Sequence, residues 1–219
     1  MPLQNRVDPF GAIHAVAERG LFTGNRGIIH DPATKTLLNK RWALPAWIIC
    51  LCDYQGRKRE PMGRNRPGGK PGWTELFFLD EPTALAAGHR PCFFCQRARA
   101  SEFLGRFGQA FGIAEPRAPQ VDARLHNERF ASSRKPLPSI RAEETAQLPD
   151  GAMVAIGGVP FAVRSGELLR WSFAGYEKPV GVETATRGGT SLALITPPTT
   201  IAVLKAGFAP VWHASAGPA

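Results

Sequence analysis

Thr74–Gln96, TELFFLDEPTALAAGHRPCFFCQ, carries more structural information than any other stretch of this sequence. Leu76-Phe77-Phe78 is an apolar run of strand length. Asp80 follows where a helix N-cap belongs, its short carboxylate able to accept the free N–H groups of a first turn. Pro82 falls in that turn, where a missing donor costs nothing, and Gly88 suits the left-handed residue that ends a helix. Cys92-x-x-Cys95 comes next, at the predicted start of a second helix. Two thiolates three positions apart reach one tetrahedral ion, and a helix N-terminus favours their charge. A bare C-x-x-C fits a redox pair as well as a metal; the strand, capped helix and Gly stop in front of it point to metal.

Toward the N-terminus, Trp47–Tyr54 (WIICLCDY) reads as a buried strand bounded by Pro45 and Gly56, with Cys50 and Cys52 on one face because side chains alternate. Between the two strands, residues 55–73 (QGRKREPMGRNRPGGKPGW) carry Arg57, Lys58, Arg59, Arg64, Arg66 and Lys70 against Glu60 alone. Gly and Pro exclude regular structure through most of it. It is expected to be a flexible, exposed hairpin tip joining the strands around Cys50 and Phe77, with Trp73 at its base as a stacking surface. After Cys95, the spacing of Phe103, Leu104, Phe107 and Phe111 predicts an amphipathic helix of about four turns. A Pro-containing break at 116–119 precedes a second helix with Val121 and Leu125 inward. The polar segment 132–150 marks an expected boundary. Beyond it, Gly157-Gly158 between two apolar runs signals a hairpin, Leu168–Phe173 continues a meander, and Ser191–Thr196 is another strand. Thr199 or Thr200 is expected to cap a short last helix that stops at Gly207.

The segment Ala84–Cys95 (ALAAGHRPCFFC) resembles the second half of the Ada-type metal-binding domain, whose pattern is an aromatic strand, a short Ala-rich helix, then Gly-aromatic-Arg-Pro-Cys-x-x-Cys; His89 stands at the aromatic position. Gly24-Asn25-Arg26-Gly27-Ile28-Ile29-His30 is similar to the Gly-Asn…His-x-x-x-Cys start of some members, with Thr34 in place of the cysteine. These matches cover roughly the first half of the chain; the whole resembles bacterial proteins. The resemblance implies Zn2+, DNA binding, a part in DNA repair, and His30 as a ligand, with Cys50 replacing the absent cysteine. The preferred set is His30, Cys50, Cys92 and Cys95, filling four positions as a closed structural site. An all-cysteine set with Cys52, or one using His89, stays open. Phosphotriester methyl acceptance, which some of these domains perform, lacks its Cys-x-x-x-Cys pair here.

The charge balance agrees with a polyanionic partner. Lys plus Arg number 27 against 18 Asp plus Glu, a net +9, and arginine predominates, which suits bidentate phosphate contacts. Nucleic acid, DNA ahead of RNA, is the expected partner, contacted by Arg26, Arg57, Lys58, Arg59, Arg64, Arg66 and Lys70. No run approaches the ~20 apolar residues of a membrane span, so no membrane partner is expected. The first residues show no apolar export segment, and four cysteines without a disulfide pattern suit a cytoplasmic protein.

Asp122, His126 and Arg129 share one face of the second predicted helix, with Glu128 beside them. His with nearby carboxylates is a general acid–base set, and a solvated helix face explains it equally. Asp8 and His14 are weaker candidates; Trp171 and Tyr176 suit a base-accommodating pocket or plain core, and His213 the surface. No Walker-type phosphate loop, dinucleotide fingerprint, G-x-S-x-G or H-E-x-x-H occurs. The expected fold is α+β: a zinc-stabilised module with helices over 1–131, then a small antiparallel α+β unit over 150–219. Two functions remain in view, a zinc-containing DNA-binding protein and a DNA-processing enzyme (glycosylase, lyase or nuclease) working through Asp122, His126 and Glu128, outside the zinc site.

Overall fold

Short apolar runs broken by Gly, Pro and Asn give the N-terminal half many brief strands. In the computed structural model, which describes residues 1–134, 136–187 and 190–218 (side chains at 130–134 excepted), the chain begins with β1 (Arg6–Val7) and β2 (Ile13–His14), then β3 (Phe22–Asn25). A two-stranded ribbon follows, β4 (His30–Asp31) and β5 (Thr36–Leu37), before β6 (Ile48–Leu51) and β7 (Leu76–Phe78). Next come α1 (Glu81–Ala86) and β8 (Arg90–Pro91), then α2 (Arg97–Phe111) and α3 (Ala118–Arg134). Six of these strands form one sheet in the order β2-β1-β7-β3-β6-β8, and the fold is mixed α+β.

The frame around Asp80 is as the sequence predicts. Asp80 Oδ1 accepts from Thr83 N at 3.0 Å and from its hydroxyl at 2.7 Å, Pro82 lies in the first turn, and Gly88 has φ of 80°. The 55–73 segment departs from expectation. Strand β3 lies between β6 and β7 and is antiparallel to both, so this connection crosses over β3 instead of turning a hairpin. The sequence hides this because FTGN has neither the length nor the apolar alternation of a central strand. Gly24 is the reason such a strand fits there: a Cβ on it would stand 2.2 Å from the Ile48 carbonyl oxygen.

The C-terminal part adds α4 (Ala142–Thr145), then β9 (Met153–Ile156), β10 (Val159–Arg164), β11 (Glu167–Ser172) and β12 (Gly175–Tyr176). After these come α5 (Val182–Ala185), β13 (Leu192–Leu194) and α6 (Pro198–Lys205). The strands form an antiparallel sheet ordered β12-β11-β10-β9-β13. Gly157 and Gly158 take φ of 56° and 82°, the pair of positive values a tight β9–β10 turn requires.

Segments 1–131 and 150–219 interlock across the 132–150 connection, of which Lys135 lies outside the described residues. Val203, Leu204 and Phe208 enter the core of Phe22, Leu76, Phe103 and Phe107, while Leu79 and Ala86 join Met153, Trp171 and Tyr176. Trp171 Nε1 also donates to Thr83 Oγ1 at 2.9 Å, and Asp80 Oδ2 accepts from His213 N at 3.2 Å. Each fully buried large side chain contributes about 1.5–3 kcal/mol, so α1 and α6 bind the two parts firmly. Trp171 and Tyr176 belong to this core.

Gly24→Ala is expected to lower the unfolding free energy by about 3 kcal/mol in urea denaturation, because backbone has to move out of the way. Gly105→Ala, on the exposed face of α2 with nothing within 4 Å, is expected to raise it by about 0.5–1 kcal/mol.

Candidate metal centre and its cleft

Parallel pairing of β8 with β6 brings the predicted sulfur ligands together. Ile48 and Ile49 stand opposite Arg90 and Pro91, Cys92 N donates to Ile49 O at 2.9 Å, and Cys92 then sits beside Cys50. The chain turns at once, with Gln96 N donating to Cys92 O at 2.9 Å, so Cys95 comes round to the same point just before α2. The sulfur atoms of Cys50, Cys92 and Cys95 all lie within 4.8 Å of one another. Tetrahedral zinc–thiolate geometry calls for sulfurs ~3.8 Å apart, from bonds of ~2.3 Å, so this donor set fits a metal ion.

The surroundings favour thiolate at Cys92 and the thiol at Cys50 and Cys95. Cys92 Sγ accepts N–H groups from Phe94, at 3.3 Å, and from Cys95, and hydrogen bonds from the other two thiols hold it far below the ordinary thiol range. Cys50 is pushed up by those same sulfur contacts and by burial, so it keeps its proton until a cation displaces it. Gln96 Nε2 donates to Ile49 O at 2.9 Å and braces the turn.

The triad opens onto a cleft of about 1020 Å³. Arg57, Lys58, Arg66 and Lys40 line it, with Tyr54, Trp73 and Phe94 supplying aromatic walls. Arg57 lies over the Phe94 ring at 4.9 Å. Arg57, Lys58, Arg64, Arg66 and Lys70 are exposed, as expected of phosphate contacts. The loop that carries them is anchored, contrary to the expected flexible tip. Buried Glu75 accepts from Arg59 Nε at 2.7 Å, Met62 N at 2.8 Å and Asn65 Nδ2 at 3.2 Å, and Met62 is fully buried. Arg59 is therefore paired with Glu75 and stacked over Trp73 at 4.2 Å, and serves as a fastening of the loop.

Several other expected site residues are elsewhere. His30 lies outside the sulfur group: the chain leaves β3 for the separate β4–β5 ribbon, and His30 Nδ1 bonds the Thr74 hydroxyl at 2.7 Å. Cys52 is exposed and lines the cleft but is not in the group. His89 is buried against Phe78 and Trp47, its Nε2 accepting from Arg26 Nε at 3.2 Å; burial and two nearby guanidiniums keep it neutral. Arg26 is only 1% exposed, so it is no surface phosphate contact; it is held by His89 and Gly11 O over the Trp47 ring.

Asp122, His126 and Glu128 do not converge. Asp122 takes both oxygens to Arg90, each at 2.8 Å, in a buried ion pair. Glu128 accepts from Thr199 N and Oγ1 and so caps α6, the role the sequence assigned to Thr199 or Thr200. His126 packs edge-on against Trp42. Asp8 and His14 do pair, at 2.7 Å, across the β1–β2 turn. His213 bonds Ser215 Oγ at 2.8 Å.

No protein-family model, curated protein or solved structure matches the chain. The Ada-type resemblance thus rests on the residues themselves, and what the structure supplies beside it is the three-cysteine group. No helix among the described residues is long and apolar enough to cross a membrane. Two features escaped the sequence: Glu75 as the loop clamp, and the buried arginines around Trp47. Neither has a signal at helix or strand spacing: Glu75's partners lie 10 to 16 residues back in the loop, and those of the arginines come from distant segments.

Titration with Co2+ is expected to give thiolate charge-transfer absorption saturating at about one equivalent per chain. Cys50→Ser, Cys92→Ser and Cys95→Ser should each abolish that band, while Cys52→Ser and His30→Gln should leave it.

Proposed function

We propose that this chain is a zinc–thiolate protein that binds a nucleic-acid strand, DNA ahead of RNA, in service of DNA repair or processing. One observation carries it: the sulfur triad, the exposed cations and the aromatic rings face a single cleft. Three soft sulfur donors suit zinc, which neutralises them without redox chemistry. Zinc would tie β6 to the turn before α2 and so fix the floor of the cleft. Arg57, Lys58, Arg66 and Lys40 track phosphates, while Tyr54, Trp73 and Phe94 offer faces for bases, the combination single strands require.

A second reading, a processing enzyme acting at the metal, is favoured by the donor count. Three protein ligands beside a cleft leave a coordination position that a closed four-ligand site lacks. Zinc held so would supply Lewis-acid activation of water or of a phosphoryl oxygen. Arg57 and Lys58 would hold the strand against it.

Fluorescence anisotropy on a labelled single strand of twelve nucleotides tests the first reading. Charge reversal at Arg57, Lys58 and Arg66 together is expected to cost at least about 100-fold in affinity at 50 mM salt and to flatten the slope of log K against log salt by about 2. Unchanged affinity removes the cleft from consideration. Incubation with intact and abasic strands tests the second: products lost in Cys92→Ser but retained in His126→Ala assign chemistry to the metal, and no products leave the binding reading alone.

A further inference from the structure

A second cavity of about 460 Å³ lies away from the thiolates, between the β1–β2 turn, Trp42, Trp47 and α3. Arg26, Arg41, Arg129 and His126 line it, and none of its described lining residues is acidic. Arg26 and Arg129 both lie over the Trp47 ring, at 3.9 and 3.8 Å from its centroid. Neither forms an ion pair among the described residues. Arg26 gives Nε to His89 and Nη1 to Gly11 O; Arg129 gives its terminal nitrogens to Gly88 O and to Pro45 O. Arg26 Nη2 and Arg129 Nε are buried without a partner.

The carboxylates within reach are committed. Asp8 bonds His14 and the Ala12 N–H, Asp122 both arms of Arg90, and Glu128 the start of α6. Burial, together with their mutual repulsion for Arg26, lowers both guanidiniums to about 9. Asp8 offsets this in part for Arg26, and Asp122 and Glu128 for Arg129, yet none of the three carboxylates makes an ion pair with either guanidinium among the described residues, and a bound anion would relieve what remains. Gly11 packs beside the unpaired nitrogen: a Cβ there would stand 3.5 Å from Arg26 Nη2. The remaining walls, including Phe10, Trp42, Leu137 and Ile195, are apolar, and the volume exceeds what a bare oxyanion needs.

We propose that this cavity binds a phosphomonoester with an apolar or planar body, its phosphoryl oxygens on Arg26 Nη2 beside Arg129 and Arg41 and its body against Phe10 and Trp42. A dianion matches this cluster of guanidiniums better than a single carboxylate does. The ester has two sources, a free mononucleotide or the 5′-phosphate of a strand end. The site shares no residue with the sulfur cleft, so it stands or falls independently of the strand-binding reading.

Calorimetry on the full chain tests it, with adenosine 5′-monophosphate, adenosine, inorganic phosphate, and a dinucleotide with and without a 5′-phosphate as probes. The monophosphate is expected to bind one to one, at least about tenfold tighter than adenosine, with inorganic phosphate weaker. Arg26→Gln should abolish binding, and exposed Arg41→Gln should weaken it about fivefold. Charge reversal at Arg57 and Lys58 should leave it unchanged. If Arg26→Gln fails to fold, the Nε–H resonances of Arg26 and Arg129 in the wild-type chain decide, since phosphate must shift them. Binding of the monophosphate and the phosphorylated dinucleotide assigns the site to strand ends; binding of the monophosphate alone assigns it to a free metabolite. Equal binding of adenosine, no binding of any phosphorylated probe, or full affinity in both arginine variants overturns the proposal.

Discussion

The parallel pairing of Arg90-Pro91 with Ile48-Ile49 is the contact on which the rest of this structure depends. It is only two residues long, yet it sets what happens on both sides of β8. Downstream, Cys92 and Cys95 arrive beside Cys50. Upstream, His89 packs on Trp47 and accepts from Arg26. Arg90 itself reaches back to Asp122 and fixes α3. Pro91 is tolerated because β8 is an edge strand, where a missing donor breaks no ladder. So short a pairing cannot hold by backbone hydrogen bonds alone. The buried Arg90–Asp122 pair secures one end, and a metal on the three sulfurs would secure the other.

The basic loop illustrates the same economy of fixing points. Its composition argues against regular structure, and its backbone does follow an irregular path. One buried carboxylate, Glu75, nonetheless gathers Arg59, the Met62 N–H and Asn65, and Met62 seals the base. The exposed arginines and Lys58 are thereby presented from an ordered loop. Less ordering entropy is then lost on contact than a flexible arm would lose, and the entropy of ordering is what weakens binding by disordered segments.

What was legible in the sequence was local. The Asp80 cap, the Gly88 stop, the Gly157-Gly158 turn and the four-turn α2 each follow from neighbours a few residues apart, and the structure has all of them. What was not legible was pairing at long range. Strand β3 intrudes between β6 and β7 because Gly24 allows close approach, and FTGN looks like a loop. His30 was expected at the metal through a resemblance to a motif whose following cysteine is Thr34 here; Thr74 holds its ring instead. Arg26 sits in a polar stretch, Gly24–Gly27, that reads as surface, and only the fold brings Trp47 and His89 over it. Asp122, His126 and Glu128 on α3 looked catalytic because polar groups on a helix face look alike whether they meet substrate, pair with a neighbouring strand or cap a neighbouring helix.

Ten of the 27 Lys and Arg side chains fall in three environments, and the division matters more than the net charge of +9. Arg59, Arg90 and Arg99 are neutralised by Glu75, Asp122 and Glu81 and act as fastenings. Arg57, Lys58, Arg64, Arg66 and Lys70 are exposed, so their pull on an anion reaches roughly one Debye length, ~8 Å at physiological salt, and is diluted by water. Arg26 is enclosed and Arg129 half-buried, neither in an ion pair among the described residues, in surroundings where a charge is felt several times more strongly. Any anion held by the loop would therefore be lost steeply with salt, and one held in the Trp47 cavity less so. A surface loop of that kind would gather a long polyanion from solution without choosing its sequence. A walled cavity with a fixed donor selects a particular end or small ester. On the proposals made above, the two cation sets would have different work.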